Sequence, residues 1–306
     1  MSGFDVIGFG ALNVDKLFKV NKIAAAEEES FVTDYAEACG GSAANTVVGL
    51  ARLERTVGFI GKVARDREGG MLVDDFRKEG ADTKGITIAE RGNSGKVMGL
   101  VDKDGQRALY IDPGVNNAIA FEEIDMKYAS NTKFLHLTSF VGDRSFRAQK
   151  KLVEKLPEKV KVSIDPGALY ARVGMAELKP IINKAFVMMP NAGELALLTG
   201  KTDHKMGAKL LLDKGVRVLA VKLGSKGCYV SDGKESHVVG PFRVRVVDTT
   251  GAGDAFDAGF ILGLLLHKSL YEAGRIGNFV ASRCIAAMGA RASLPILEDL
   301  KANQLV

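Results

Sequence analysis

Only three cysteines, Cys39, Cys228 and Cys284, occur in the 306 residues. They lie far apart, with neither Cys-x-x-Cys spacing nor a nearby His to complete a zinc site, so buried free thiols are expected. No apolar run reaches the ~20 residues that a membrane span needs. The opening MSGFDVIGFG has no basic segment followed by a long apolar stretch, which argues against a secretory signal and for a cytoplasmic protein. Single-sign charge blocks and low-complexity tracts are also missing. Lys and Arg number 42 against 37 Asp and Glu, a formal charge of +5 without a polybasic cluster. Nothing there indicates a nucleic-acid partner, and anionic small molecules fit the charge equally well.

Two phosphate-binding motifs fail on spacing. Gly200, Lys201 and Thr202 could end a G-x-x-x-x-G-K-[ST] loop, but its first glycine position holds Leu195. Gly8 and Gly10 could open a G-x-G-x-x-G fingerprint, but the third glycine position holds Asn13, which disfavours a Rossmann dehydrogenase.

What is present is ordinary globular material, 46% hydrophobic and 26% charged, enough to bury a substantial core. Short apolar runs at 4–10, 57–61, 134–137, 160–165, 185–190 and 216–222 alternate with helix-length amphipathic stretches, among them 43–53, 68–78, 145–156 and 206–214. That order predicts βαβ units and an α/β fold with a mostly parallel sheet covered on both faces. Residues 15–37 and 95–112 break the pattern and read as short alternating strands, the second pair with a turn at Lys103, Asp104 and Gly105. A small sheet projecting as a lid from one domain spanning 1–306 is the simplest arrangement. Helices are predicted at 253–267 and from 269 to about 288.

The stretch DTTGAGDAFDAGF, 248–260, places a glycine-rich turn at the start of a helix. Such a turn offers unpaired backbone N–H groups with the positive helix end behind them, a plausible anion cradle. Asp254 follows at once. An alcohol near its carboxylate could lose its proton while attacking a phosphoryl group held by Gly251, Ala252 and Gly253. An Asp with a pKa of ~3.9 at a helix N-terminus is expected to be a weak base. A helix cap beside a closed turn is the alternative reading of this string.

DTTGAGDAF resembles the C-terminal signature of the ribokinase, or PfkB, family of carbohydrate kinases, and GGSAANTVVGLARL at 40–53 resembles the N-terminal one. The resemblance covers most of the chain, with its motifs in order. It implies a ribokinase-like three-layer αβα domain with a β-sheet lid, an ATP-dependent sugar kinase, Asp254 as base and residues 251–253 as anion hole. It implies that Asn13 and Asp15 hold sugar hydroxyls, that Gly40 and Gly41 leave room for the sugar, and that Asn45 binds it. Asn191 and Glu194, in PNAGEL, would organise Mg2+ and the phosphates, often through water; on residue types alone they could equally be an N-cap and a solvent-facing Glu. VKLGSKG at 221–227, with Lys222, Gly224 and Gly227, would run along the nucleotide, and Asn278 would line the adenine pocket or lie on the surface.

Asp248 and Thr250 match half of a monovalent-cation site, whereas MGARASLP at 288–295 matches the other half only loosely, so K+ stays open. Asp257 lies at i+3 from Asp254 and reads as a polar residue facing solvent or the substrate mouth. Arg107 and Arg172 could reach a phosphate on the acceptor, which would make it a sugar phosphate, or be solvated surface residues. The lid has no evident aromatic cluster for stacking a base, which favours a sugar over a nucleoside. Exposed lid edges suggest a homodimer. A kinase-like fold binding a metabolite without turnover is the reading from a different class, and the presence of Asp254 weighs against it.

Overall fold

The computed structural model describes residues 3–104 and 106–306. From the N-terminus, β1 (Phe4–Phe9) enters the body, and β2 (Asn13–Val20) and β3 (Val32–Gly40) form a projecting hairpin. Helix α1 (Ser42–Arg52), β4 (Val57–Ala64), α2 (Arg67–Lys78) and β5 (Asp82–Ala89) return to the body before β6 (Gly95–Val101) and β7 (Arg107–Asp112) leave it again. The turn expected at 103–105 includes Gly105, which lies outside the described residues. There follow α3 (Met126–Ala129), β8 (Thr132–Thr138), α4 (Asp143–Lys155), β9 (Lys161–Asp165), α5 (Gly167–Val173) and α6 (Met175–Ile182). The last part comprises β10 (Ala185–Met188), α7 (Ala192–Thr199), α8 (His204–Asp213), β11 (Val218–Lys222), β12 (Cys228–Ser231), β13 (Ser236–Val239), α9 (Ala252–Leu265), α10 (Leu270–Cys284) and α11 (Leu297–Ala302).

Nine strands form the main sheet in the order β13-β12-β11-β10-β9-β8-β1-β4-β5. Every neighbouring pair is parallel except β11 with β12 and β12 with β13, which continue the edge as antiparallel strands. Successive side chains on a strand face opposite ways, so the sheet carries two cores. Val6, Phe59, Phe134 and Ala220 pack with Phe260 of α9 and Ile276 of α10 on one face. Ile7, Leu135, Ile164 and Leu219 pack with Leu152 of α4, Ile181 of α6 and Leu195 of α7 on the other. This is the three-layer ribokinase-like arrangement.

The second sheet has the order β3-β2-β6-β7, in which the two hairpins join through a parallel pairing of β2 with β6. Ion pairs tie it to α2: Lys16 reaches Glu68 at 2.7 Å, and Arg67 pairs with Glu37. The final long helix stops at Cys284 rather than near 288, because Ser293 Oγ donates back to the carbonyls of Arg283 and Cys284 and draws the chain into a loop. No described helix is long and apolar enough to cross a membrane.

Candidate active site

Strands β4 and β5 lie to one side of β1, and β8 with its successors to the other, so the winding direction reverses between β1 and β8. A crevice forms outside the carboxyl ends of strands at such a point. Here a cleft of about 410 Å3 opens there, roofed by the lid and lined by Asn13, Asp15, Asn45, residues 138–141 after β8, and residues 249–254.

The floor is the first turn of α9. Gly251 begins that helix at φ 76° without a side-chain cap. Asp66, Asn191, Asp203 and Ser269 cap their own helices with a side-chain oxygen, whereas α9, like α1, α4, α5, α6 and α11, has no such cap. The left-handed φ suits glycine. A Cβ at 251 would also lie 2.5 Å from that of Ala290. The uncapped turn therefore leaves its N-terminal dipole for an anion in the cleft.

Asp254 sits on that turn, half-buried, opening on the cleft and enclosed by protein behind. Burial raises its carboxyl to about 7, against donation from Asn45 and the charges of Lys222 and Arg291, and with Asp165 pushing the same way as burial. This differs from the weak base expected at a helix end, because desolvation outweighs the helix dipole. Asn45 Nδ2 donates to Asp254 Oδ2 at 2.8 Å, and Thr46 Oγ1 donates to the Asp254 carbonyl at 3.1 Å. Helices α1 and α9 approach closely because a Cβ on Gly49 would lie 2.9 Å from the Ala258 Cβ.

At the acceptor end, burial raises the Asp15 carboxyl to about 6 against the Arg291 charge. Asn13 Oδ1 accepts from Asn116 Nδ2 at 3.0 Å, and the Asn116 amide also brackets Leu12, accepting from its N–H at 2.9 Å and donating to its carbonyl at 2.8 Å. Asn13, Asp15, Gly41 and Asn45 thus line the same cleft as Gly251, Ala252, Gly253 and Asp254, the two sets meeting at the bond from Asn45 to Asp254. Gly40 and Gly41 make room for the protein's own groups: a Cβ at 40 would meet Asp15 Oδ2 at 2.3 Å, and one at 41, where φ is 109°, the Ala11 carbonyl at 2.2 Å.

Beneath the turn lies a buried ionic cluster. Lys222 Nζ is 2.7 Å from Asp165 and 3.2 Å from Asp257. Burial opposes the Lys222 charge, but the two carboxyls outweigh it and hold the ammonium protonated well above its ordinary range. Asp165 is likewise driven up by burial and down further by Lys222, ending below its usual value. Asp257 is fully buried and raised well above the usual carboxylate range by burial, so it neither faces solvent nor lines the cleft. Asn191 and Glu194 form a reciprocal cap at the start of α7, each amide N–H donating at 2.9 Å to the other's side-chain oxygen. Burial, with Asp165 nearby, raises the Glu194 carboxyl.

A pfkB family carbohydrate kinase model matches residues 5–297. The chain belongs to that family. It is an ATP-dependent carbohydrate kinase. An uncharacterized sugar kinase of Archaeoglobus fulgidus is 43% identical to it over 81% of this chain and 98% of that one. An ATP-dependent ribose-1-phosphate kinase of Halopiger xanaduensis is 34% identical over 94% of each. Among solved structures, a ribokinase from Thermotoga maritima superposes with a TM-score of 0.87, at 26% identity and 98% coverage of both chains.

The remaining sequence candidates occupy varied places in the kinase. Gly224 and Gly227 bound the short turn between β11 and β12, where a Cβ at 227 would strike the Val239 carbonyl at 2.0 Å. Asn278 is buried rather than on the surface, its amide donating at 3.0 Å to the carbonyls of Val239 and Gly240. Asp248 accepts from the Thr250 amide and hydroxyl at 3.0 and 2.7 Å and from Gly289 N at 2.9 Å. Although burial pushes its carboxyl up, these donors hold it below the ordinary value. Arg107 Nη1 reaches Thr250 Oγ1 at 3.4 Å across the mouth of the cleft. Arg172 is exposed on α5 and lines no part of the cleft.

Sequence reasoning missed Asn116, Asp165 and Arg291. Asp165 ends a predicted strand, and strand ends are where this fold builds sites, so its position was a usable signal. Asn116 and Arg291 lie in irregular segments whose course no periodicity reveals.

Proposed function

We propose that the kinase transfers the γ-phosphoryl group of ATP to a hydroxyl of a small carbohydrate, with Asp254 as general base and the turn of Gly251, Ala252 and Gly253 as anion hole. The observation carrying this reading is the uncapped α9 N-terminus with a raised carboxyl on its first turn, opposite a polar cleft wall. Asn13, Asp15 and Asn45 orient the acceptor. Its reactive hydroxyl donates to Asp254, the oxygen attacks the γ-phosphorus in line, and the charge on the transferred group is stabilised by the turn. A base near 7 takes up the proton at neutral pH more readily than an ordinary Asp. Lys222 lies just under the turn, 3.3 Å from where a Cβ on Gly253 would be, and supports its positive potential.

Magnesium fits these residues as an ion that comes with the nucleotide. Asp165 and Glu194 supply hard oxygen donors, but among the described residues no group of three or more His, Cys, Asp or Glu converges on a metal position. Such an ion would keep waters and phosphate oxygens as ligands and would supply charge neutralisation of the phosphates. Gly224, which faces open space, belongs to the nucleotide side in this reading. Hydrogen bonds from Thr250 and Gly289 to Asp248 join the two loops between which the resemblance would set a monovalent cation.

A sugar phosphate is the second reading of the acceptor, favoured by Arg107 at the cleft mouth and by the ribose-1-phosphate kinase among the relatives. ADP release with ATP, MgCl2 and a panel of D-ribose, ribose 1-phosphate and adenosine separates the readings. The carbohydrate reading expects turnover with D-ribose or ribose 1-phosphate above that with adenosine. Arg107→Gln should raise KM about tenfold or more for ribose 1-phosphate alone if the phosphate sits against this arginine. No ADP above the blank with any acceptor that binds would remove the kinase mechanism.

The lid leaves Phe31, Tyr35, Leu109 and Tyr110 exposed, and its edge strands β3 and β7 unpaired in the sheet. A second copy of the chain covers this surface in our reading. Light scattering should then give twice the chain mass, falling to the monomer in Leu109→Lys/Tyr110→Lys; a monomeric wild type would contradict it.

A further inference from the structure

Arg291 follows α10, lines no part of the cleft and has a side chain only 11% exposed. Its Nε donates to Asn45 Oδ1 at 2.7 Å, and its Nη1 pairs with Asp75 of α2. Arg52 of α1, itself forked onto Glu79, donates to the Arg291 carbonyl at 2.6 Å. Arg291 is therefore held at two points, its guanidinium by Asp75 and its backbone carbonyl by Arg52.

A side-chain amide has two ends of nearly equal shape and opposite polarity. Arginine offers only donors, so only the amide oxygen of Asn45 can face it. The Asn45 NH2 group must then face Asp254, as its 2.8 Å bond to Oδ2 requires. Turned over, the amide would set its oxygen against a carboxylate and its NH2 against a guanidinium, two repulsive contacts in a partly buried place.

We propose that Arg291, anchored by Asp75 and Arg52, is a positioning residue that locks the Asn45 amide in the one orientation that donates to Asp254 and keeps its second N–H for the acceptor. The proposal rests on Asp254 being the base. It differs from a bystander ion pair because its effect passes through Asn45.

The charges around Asp254 set the sign of the test. Asp165 at the end of β9 disfavours the anion, whereas Lys222 at the end of β11 and Arg291 favour it, and Asp257 lies one turn on along the same helix. The Cys284 thiol faces it from α10, pushed up to about 12 by burial and thus neutral, and Asp15 shares the cleft. Arg291→Met removes one of the two cations and frees the amide to turn, and both changes raise the Asp254 midpoint.

The experiment is a carbon-13 NMR titration of the aspartate carboxyls without substrate, the Asp254 signal being identified by its loss in Asp254→Asn. Arg291→Met should raise the midpoint by about one pH unit, a tenfold change in proton affinity. With Asn45→Leu already in place, Arg291→Met should add clearly less, because no amide remains to be oriented. An unmoved midpoint, or the same added shift in both backgrounds, would overturn the proposal. Should Arg291→Met fail to fold, Asp75→Asn releases the guanidinium and should shift the midpoint the same way through Asn45. In turnover, Arg291→Met should lower kcat about tenfold with KM for ATP unchanged. Since the titration needs no acceptor, its failure leaves the kinase mechanism standing. Failure of that mechanism would instead show as absent turnover across the acceptor panel with the titration unaffected.

Discussion

At the scale of the residue, the chemistry depends on how burial acts on individual acids. Asp254 is raised to about 7 by desolvation, so its folded pKa lies above the unfolded value of ~3.9. A carboxyl raised in this way favours the fold while protonated. That contribution is complete below about pH 4 and is lost as pH rises through about 7. Asp254→Asn should therefore raise Tm by ~2–4 °C at pH 8 and far less at pH 5, as read by scanning calorimetry. Equal shifts at both values would show that Asp254 is not raised. In turnover, kcat/KM should climb on the acid side with a midpoint near 7. The proton state of Asp257 leads to a contrast. Burial raises its carboxyl, so Asp257→Asn, which keeps the shape without the charge, should cost less in urea unfolding than loss of the Lys222 ammonium. Lys222→Met should cost ~3–5 kcal/mol, because it strands the Asp165 charge. The position of Asp254 was readable in the string DTTGAGDAF, but its environment was not. Which groups enclose a side chain depends on residues hundreds of positions away, such as Asn45.

At the scale of the element, the decisive feature is that α9 starts at the cleft floor on a left-handed glycine without a side-chain cap. Gly251 holds φ 76° with Ala290 packed against it, so Gly251→Ala combines backbone strain with a clash. It should cost ~1–3 kcal/mol in unfolding and, by moving the anion turn, lower kcat more than it changes acceptor KM. Unchanged kinetics in a folded variant would separate the turn from the phosphate. Periodicity and glycine placement made most elements legible, including the alternating lid strands and the βαβ order of the body. The early end of α10 at Cys284 was hidden, because helical spacing continues in sequence while Ser293 caps the helix from nine residues farther on. The burial of Asn278 was hidden for a related reason: its partners are carbonyls at and just beyond the end of β13, which only the packed edge brings beneath α10.

At the scale of the whole molecule, the reversal of winding between β1 and β8 collects functional groups from distant segments. Asn13 and Asp15 enter the cleft from the lid, while Asp165 and Lys222 lie beneath the α9 turn at the carboxyl ends of β9 and β11. The strand order itself was not legible, since alternating βα units are compatible with many orders. The family motifs, being long and correctly ordered, carried the fold further than periodicity did. The central claim is phosphoryl transfer to a carbohydrate hydroxyl through Asp254. Phosphorus-31 NMR of ATP and MgCl2 with D-ribose or ribose 1-phosphate follows both the product and the donor in one sample. Wild type should accumulate a sugar phosphate ester matched by ADP, while Asp254→Asn binds ATP normally and forms ester about a hundred- to ten-thousandfold more slowly. Ester formation by Asp254→Asn at the wild-type rate would contradict the claim.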